Sequence, residues 1–167
     1  LIGVFLLLSI CSVFALGVNR PYWNENPLKM YSGETRDVVF GLANSVNEKT
    51  TEATVSIVEG EEIAQILSGD KYVVQPGSTD QNIRLRVTLP GTATIGQNYS
   101  IKLFVTFSPV GESGNVKLNI GYNANFPVQV VDRATADAQA QAQNFTNTNT
   151  NTNQTGLGSD RTKLLIV

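Results

Sequence analysis

The 167-residue sequence predicts an all-β sandwich across residues 20–131, and three observations predict it. Apolar residues in that span recur at every second position, the period of a strand with one buried and one wet face. Glycine- and proline-bearing turns separate the runs at roughly 8–12-residue intervals. On either side the composition changes: a charge-free apolar run comes before the span, and an Asn, Thr, Gln and Ala tract follows it.

The first element is "NPLKMYSGE", where Leu28 and Met30 stand two apart and Ser32-Gly33 turns the chain. "RDVVFGLAN" alternates Val38, Phe40 and Leu42, and "EATVSIVEG" alternates Ala53, Val55 and Ile57 before Gly60. "EGEEIAQILSGD" at 59–70 breaks the period. Glu61 and Glu62 followed by Ile63, Ile66 and Leu67 fit a helical turn or two across one end of the sandwich, or one more irregular strand. "NIRLRVTLPG" is the clearest strand. Ile83, Leu85, Val87 and Leu89 share one face, Arg84, Arg86 and Thr88 the other, and Pro90-Gly91 ends it. "YSIKLFVTF" places Tyr99, Ile101, Leu103, Val105 and Phe107 on one face, and "VKLNIGY" and "FPVQVV" complete the set. "QPGSTD" at 75–80 and "LPGTATIGQN" at 89–98 are the reversals. About seven strands in this length fit an immunoglobulin-like sandwich, although the Cys–Trp–Cys signature of true immunoglobulin domains is missing. Trp23 precedes the first strand and is expected at a sandwich edge rather than in the core.

Composition narrows the function. Twelve basic and fourteen acidic residues give a net charge of −2, and no lysine or arginine cluster appears. Nucleic-acid binding, which needs a basic stripe with aromatics in it, is not expected. Histidine is absent, which removes the commonest metal ligand and the commonest general base at neutral pH. Ser100, Thr106 and Ser108 therefore have no histidine to activate them. Glu59, Glu61 and Glu62 form an acidic knot that lacks the alternating oxygens and glycine bend of a calcium loop. "GESGNV" at 111–116 reads as a hairpin turn rather than a phosphate cradle. No catalytic, cofactor or metal residue is expected, and the chain is not expected to be an enzyme. Tyr22, Trp23 and Tyr31 make either an aromatic sugar-binding platform or a cover over the open end of the sandwich.

The ends bear on location. Leu1 to Gly17 carries no charge and suits the apolar core of a secretory signal peptide, with "VFA" or "ALG" at the cut. A retained membrane anchor and a buried helix are the rival readings. Cys11 is the sole cysteine, and Ile10 before it departs from a lipobox. Cleavage after Ala15 or Gly17 leaves a domain with no disulfide. Residues 132–163 read as a disordered Asn/Thr/Gln/Ala-rich linker. "RATADAQAQAQN" tolerates a helix but lacks an apolar stripe, so a helix there is marginal on its own. Leu164 to Val167 resembles the start of a truncated transmembrane segment. Asn98, Asn144 and Asn153 each head an N-x-Ser/Thr sequon, usable only after export.

"YSGETRDVVFGLANS" and "YVVQPGSTDQNIRLRVTLPGTATIGQNYSIKLFVTF" resemble the secreted immunoglobulin-like modules of archaeal and bacterial cell-surface proteins. The shared opening is carried by Gly33-Glu34 with Val38, Phe40, Leu42 and Asn44. The shared middle is carried by Pro76-Gly77, by Val87-x-Leu89-Pro90, and by Tyr99-x-Ile101-x-Leu103 after Gly96. The resemblance covers about residues 28–131. It implies an exported, envelope-tethered structural or adhesive surface module, for which other surface proteins or copies of itself are the expected partners through sheet edges, and the Asn/Thr tail points to an archaeal source. A carbohydrate- or protein-binding module is the alternative, and an accessory domain of a larger extracellular enzyme a distant third.

Overall fold

The structure is a computed structural model, and it describes residues 16–45, 49–111 and 120–152. The alternating stretches become two stacked sheets. One has the order β1 (Leu16–Asn19), β3 (Thr35–Asn44), β7 (Ser78–Thr88), β5 (Ala64–Ile66). The other has the order β2 (Leu28–Met30), β9 (Ile120–Val130), β8 (Asn98–Pro109), β4 (Thr51–Glu59), β6 (Lys71–Val74). All pairings are antiparallel except β2 on β9, which is parallel. The first strand thus starts in one sheet and crosses to the other. With β3, β7 and β5 on one side and β4, β8 and β9 on the other, this is the immunoglobulin-like arrangement.

The register explains the alternation. Val38 and Phe40 of β3 face inward opposite Leu85 and Ile83 of β7, and these are buried together with Leu42 and Val87. From the second sheet come Val55, Ile101, Leu103, Val105, Phe107, Phe126 and Val128. Phe40 and Phe126 meet across the sandwich with ring centroids 5.4 Å apart. Buried apolar area of this kind is the main source of stability in a sandwich without disulfides. Asn44 is fully buried, and its Nδ2 lies 3.1–3.3 Å from Lys49 O, Thr51 Oγ1 and Val74 O, tying β3, β4 and β6 together at one end.

The irregular 59–70 stretch takes the second of its two readings, a turn followed by the short strand β5. Three details differ from the sequence reading. Lys71–Val74 is a further strand at the sheet edge. "IGY" and "FPVQV" belong to one continuous strand that passes through Pro127. Pro127 lies one residue before the register with β2 begins at Leu28↔Val128, and proline is tolerated where no strand needs its missing N–H. Finally, Leu16 and Gly17, expected to close the hydrophobic leader, pair with Asn44 and Ala43 as the first half of β1. Residues 1–15, 46–48, 112–119 and 153–167 lie outside the described residues, and with them Cys11, most of the leader, most of "GESGNV", Asn153 and the apolar C-terminal run.

The disordered linker expected from residue 132 is corrected over its first part. Arg133–Thr152 forms a 20-residue helix, α1. Asp132 is its N-cap: the Thr135 N–H donates to Asp132 Oδ1 at 3.0 Å and the Thr135 hydroxyl to Oδ2 at 2.7 Å. Alanines at 134, 136, 138, 140 and 142 supply helix propensity. The helix is not alone, because it lies along the edge where the first strand changes sheets.

Candidate functional site: the edge where the first strand changes sheets

Between β1 and β2 the chain leaves one sheet, makes a turn, and joins the other. Pro21 and Tyr22 enter the gap, and Trp23–Asn26 is a tight turn closed by two main-chain hydrogen bonds, Trp23 N to Asn26 O (3.1 Å) and Asn26 N to Trp23 O (3.0 Å). The Asn26 side chain donates to Pro21 O at 3.2 Å, fixing the turn from behind. This crossing leaves two features that an unbroken strand would have covered: the open gap between β2 and β3, and the outer edge of β9 ahead of Val128.

Helix α1 fills the first. Ala136, Gln139 and Gln143 stand at i, i+3 and i+7 and share one face. Ala136 is fully buried, and its carbonyl accepts from Arg36 Nη2 at 3.4 Å. Gln139 bridges the edge of β2: its Oε1 accepts from the Lys29 N–H at 2.8 Å and its Nε2 donates to Pro27 O at 2.9 Å. Those are the groups a neighbouring strand would use, so a side-chain amide takes the place of one. Gln143 Oε1 accepts from the Tyr22 hydroxyl at 2.6 Å. Arg133 lies over the Tyr31 ring, 5.1 Å from its centroid. Beneath the helix Glu34 pairs with Arg36 and accepts from the Tyr31 N–H at 2.9 Å. Arg36 Nη1 is buried with no hydrogen-bond partner among the described residues. Burial raises the pKa of Tyr22 above the ordinary tyrosine value, against the lowering effect of Gln143 and Arg36.

The second feature is a cleft of about 320 Å³ lined by Val18, Asn19, Arg20, Trp23, Asn24, Glu25 and Asn125. Arg20 Nη1 donates to the Asn125 carbonyl at 3.0 Å and reaches Asn125 Oδ1 at 3.4 Å, pinning the crossing segment to β9. Trp23 is 43% exposed at its rim.

The three aromatics singled out in the sequence are therefore separated. Tyr22 is 2% exposed and packs its ring 6.0 Å from Phe126, Tyr31 is half-buried under Arg133, and only Trp23 faces solvent. They do not form a platform. The acidic knot is also dispersed: Glu59 pairs with Lys102 at 3.2 Å while Glu61 and Glu62 stand exposed on the turn before β5. Ser100 bonds Glu59, and that bond, with Lys102 behind it, holds the Glu59 carboxyl below its usual range. Asn98 is exposed at the start of β8. Among the described residues no group of three His, Cys, Asp or Glu side chains is placed to hold a metal, and no helix is long and apolar enough to cross a membrane. The polar stripe of α1 was missed because the sequence was read for apolar residues alone. The signal that points to it is Asp132 at the cap position followed by glutamines at helical spacing.

No protein-family model matches the chain, and no curated protein matches it in sequence. Among solved structures it is similar to the PapD-like domain 7 of human CEP192, at 12% identity and a TM-score of 0.49, covering 70% of this chain and 85% of that one. The periplasmic chaperone SfaE is similar at 12% identity and 0.48, with 68% of this chain and 57% of the chaperone covered. A fragment of Escherichia coli alpha-2-macroglobulin aligns at 17% identity and 0.44, over 70% of this chain but only 16% of the fragment.

Proposed function

We propose that the chain is an exported surface module, tethered to the cell envelope and structural or adhesive rather than enzymatic. The observation that carries this reading is the path of α1. β3 runs from Thr35 at one pole of the sandwich to Asn44 at the other, and Leu16 of β1 pairs with Asn44. The chain entering β1 therefore comes from the Asn44 pole. β9 delivers the chain to the opposite pole, where Val131 N donates to Met30 O. From there α1 turns back along the edge, passing Lys29 at Gln139 and Tyr22 at Gln143. Nine further residues at about 1.5 Å each carry it toward the Asn44 pole. Both flanks of the sandwich thus head the same way.

That path suits a domain held at one pole and presenting the other. The presented pole consists of the turns at 31–34 and 60–63 and the loop 89–97. It is stiffened by Gly33 N to Pro90 O (3.2 Å), Ala93 N to Pro90 O (3.1 Å) and Gly96 N to Val130 O (2.9 Å), and it carries Ile95 at 73% exposure. The apolar leader before β1 and the polar tract leading to "KLLIV" support export and tethering. The resemblance of residues 28–131 to archaeal and bacterial surface modules supports the same placement. Partners are expected to be envelope proteins or further copies of the chain.

The test is to express the full-length gene with an epitope in the 89–97 loop and another at the N-terminus. Intact cells are treated with protease and the membrane fraction is probed. The reading expects the loop epitope on intact cells, in membrane-bound product that has lost the N-terminal epitope. Protection of the loop epitope until lysis would refute it.

A further inference from the structure

We propose that the cleft between Trp23 and Asn125 binds a neutral pyranose chain. The inference goes beyond surface presentation and does not depend on it, since the cleft belongs to the sandwich itself. Three observations carry it. First, Trp23 is the only tryptophan of the chain and remains 43% exposed, yet its turn is held rigid by the reciprocal Trp23–Asn26 bonds and by Asn26 on Pro21. A large ring left in water on a fixed support is the arrangement that costs least entropy when a ligand covers it. Second, the lining is amide-rich: Asn19 and Asn24 each carry a donor pair and an acceptor, and Asn125 adds its Nδ2 donor pair while its Oδ1 meets Arg20, which suits adjacent hydroxyl groups. Third, the two charged residues at the cleft, Arg20 and Glu25, are of opposite sign, so it favours neither anionic nor cationic ligands. About 320 Å³ lies at the lower end of small-molecule clefts, the size of a short saccharide segment. A pyranose presents an apolar C–H face to the indole and hydroxyl edges to the amides.

Because Trp23 is the sole tryptophan, intrinsic fluorescence of the intact chain reports on this cleft directly. Cellotetraose, chitotetraose and mannotetraose are titrated separately to tens of millimolar (a range for weak single-module binding, about 1 mM and above). The expected result is a saturable shift of the emission maximum to shorter wavelength with at least one of them. Asn125→Ala and Asn24→Ala should each weaken that binding roughly tenfold, the loss expected for one polar contact, with the melting temperature unchanged in Asn24→Ala, which touches no part of the Arg20–Asn125 contact. Absence of any saturable shift with all three sugars would overturn the proposal. So would a shift that both variants leave intact, because the sugar would then be meeting the indole outside this cleft. Failure of the surface-exposure experiment leaves this titration unaffected, so the two readings fall separately.

Discussion

Gln139→Ala removes the side-chain amide that bridges β2 to α1. Two hydrogen bonds are lost, from the Lys29 N–H at 2.8 Å and to Pro27 O at 2.9 Å, both partly buried. A net contribution of about 0.5–1.5 kcal/mol per bond gives roughly 1–3 kcal/mol. Water reaches part of the vacated edge, and alanine has the better helix propensity by a few tenths of a kcal/mol, so the lower half of that range, about 1–2 kcal/mol, is expected. For a domain of this size that is a fall in melting temperature of roughly 3–8 °C. The assay is thermal and urea unfolding of the full chain beside Gln141→Ala, since Gln141 lies on the exposed side of the same helix. Gln141→Ala should be neutral or slightly stabilising. Hydrogen exchange adds a local readout, with amides across 137–143 losing protection in Gln139→Ala before the strands do. Equal stability of the two variants, or an α1 already unprotected in the native chain, would refute the docked helix.

Gly60 has φ +85°, and a Cβ there would stand 2.6 Å from Ser100 O and 3.0 Å from the Ile101 side chain. Gly60→Ala should therefore cost about 2–4 kcal/mol, combining left-handed strain with a main-chain clash, measured by urea unfolding. Asp132→Ala removes the N-cap of α1 and should cost about 1 kcal/mol, with the loss confined to the helix in hydrogen exchange. On pH, Thr135 lowers the pKa of Asp132 and the Arg86 guanidinium lowers that of Asp37. A depressed carboxylate stabilises the fold above its unfolded pKa and loses that contribution as pH falls through the folded one. Stability should thus decline in acid below about pH 4. At the other extreme Tyr22, raised by burial, stabilises the neutral form, so stability should fall again above about pH 10. Between them a melting series should be nearly flat, because no histidine titrates.

The strands were legible wherever one face was buried and the other wet. In β7, Ile83, Leu85 and Val87 are fully buried while Arg84 and Arg86 reach Asp37 on the outer face, at 3.7 and 2.8 Å. The period-two signal records that difference directly. It failed in four places, each for a physical reason. β1 was hidden inside an apolar leader, where alternation cannot be seen. β6 is four residues long, too short to establish a period. β9 runs through Pro127, which reads as a break although no strand needs its N–H. α1 docks through glutamine amides, so a search for an apolar stripe passes over it. The sequence left a platform and a cover open for the aromatic trio, because Tyr22 and Trp23 are adjacent and only the tight turn sends one inward and the other out. Nothing in composition distinguishes those two directions.

Intact mass of the membrane-fraction product decides whether the domain is exported and tethered at the pole where β1 begins. Leu16 and Gly17 are half of β1, so leader cleavage should fall after Ala15 and leave both in place. The expected product is membrane-associated, with Leu16 as its mature N-terminus. Recovery in the cytoplasm at unprocessed mass would contradict export and tethering.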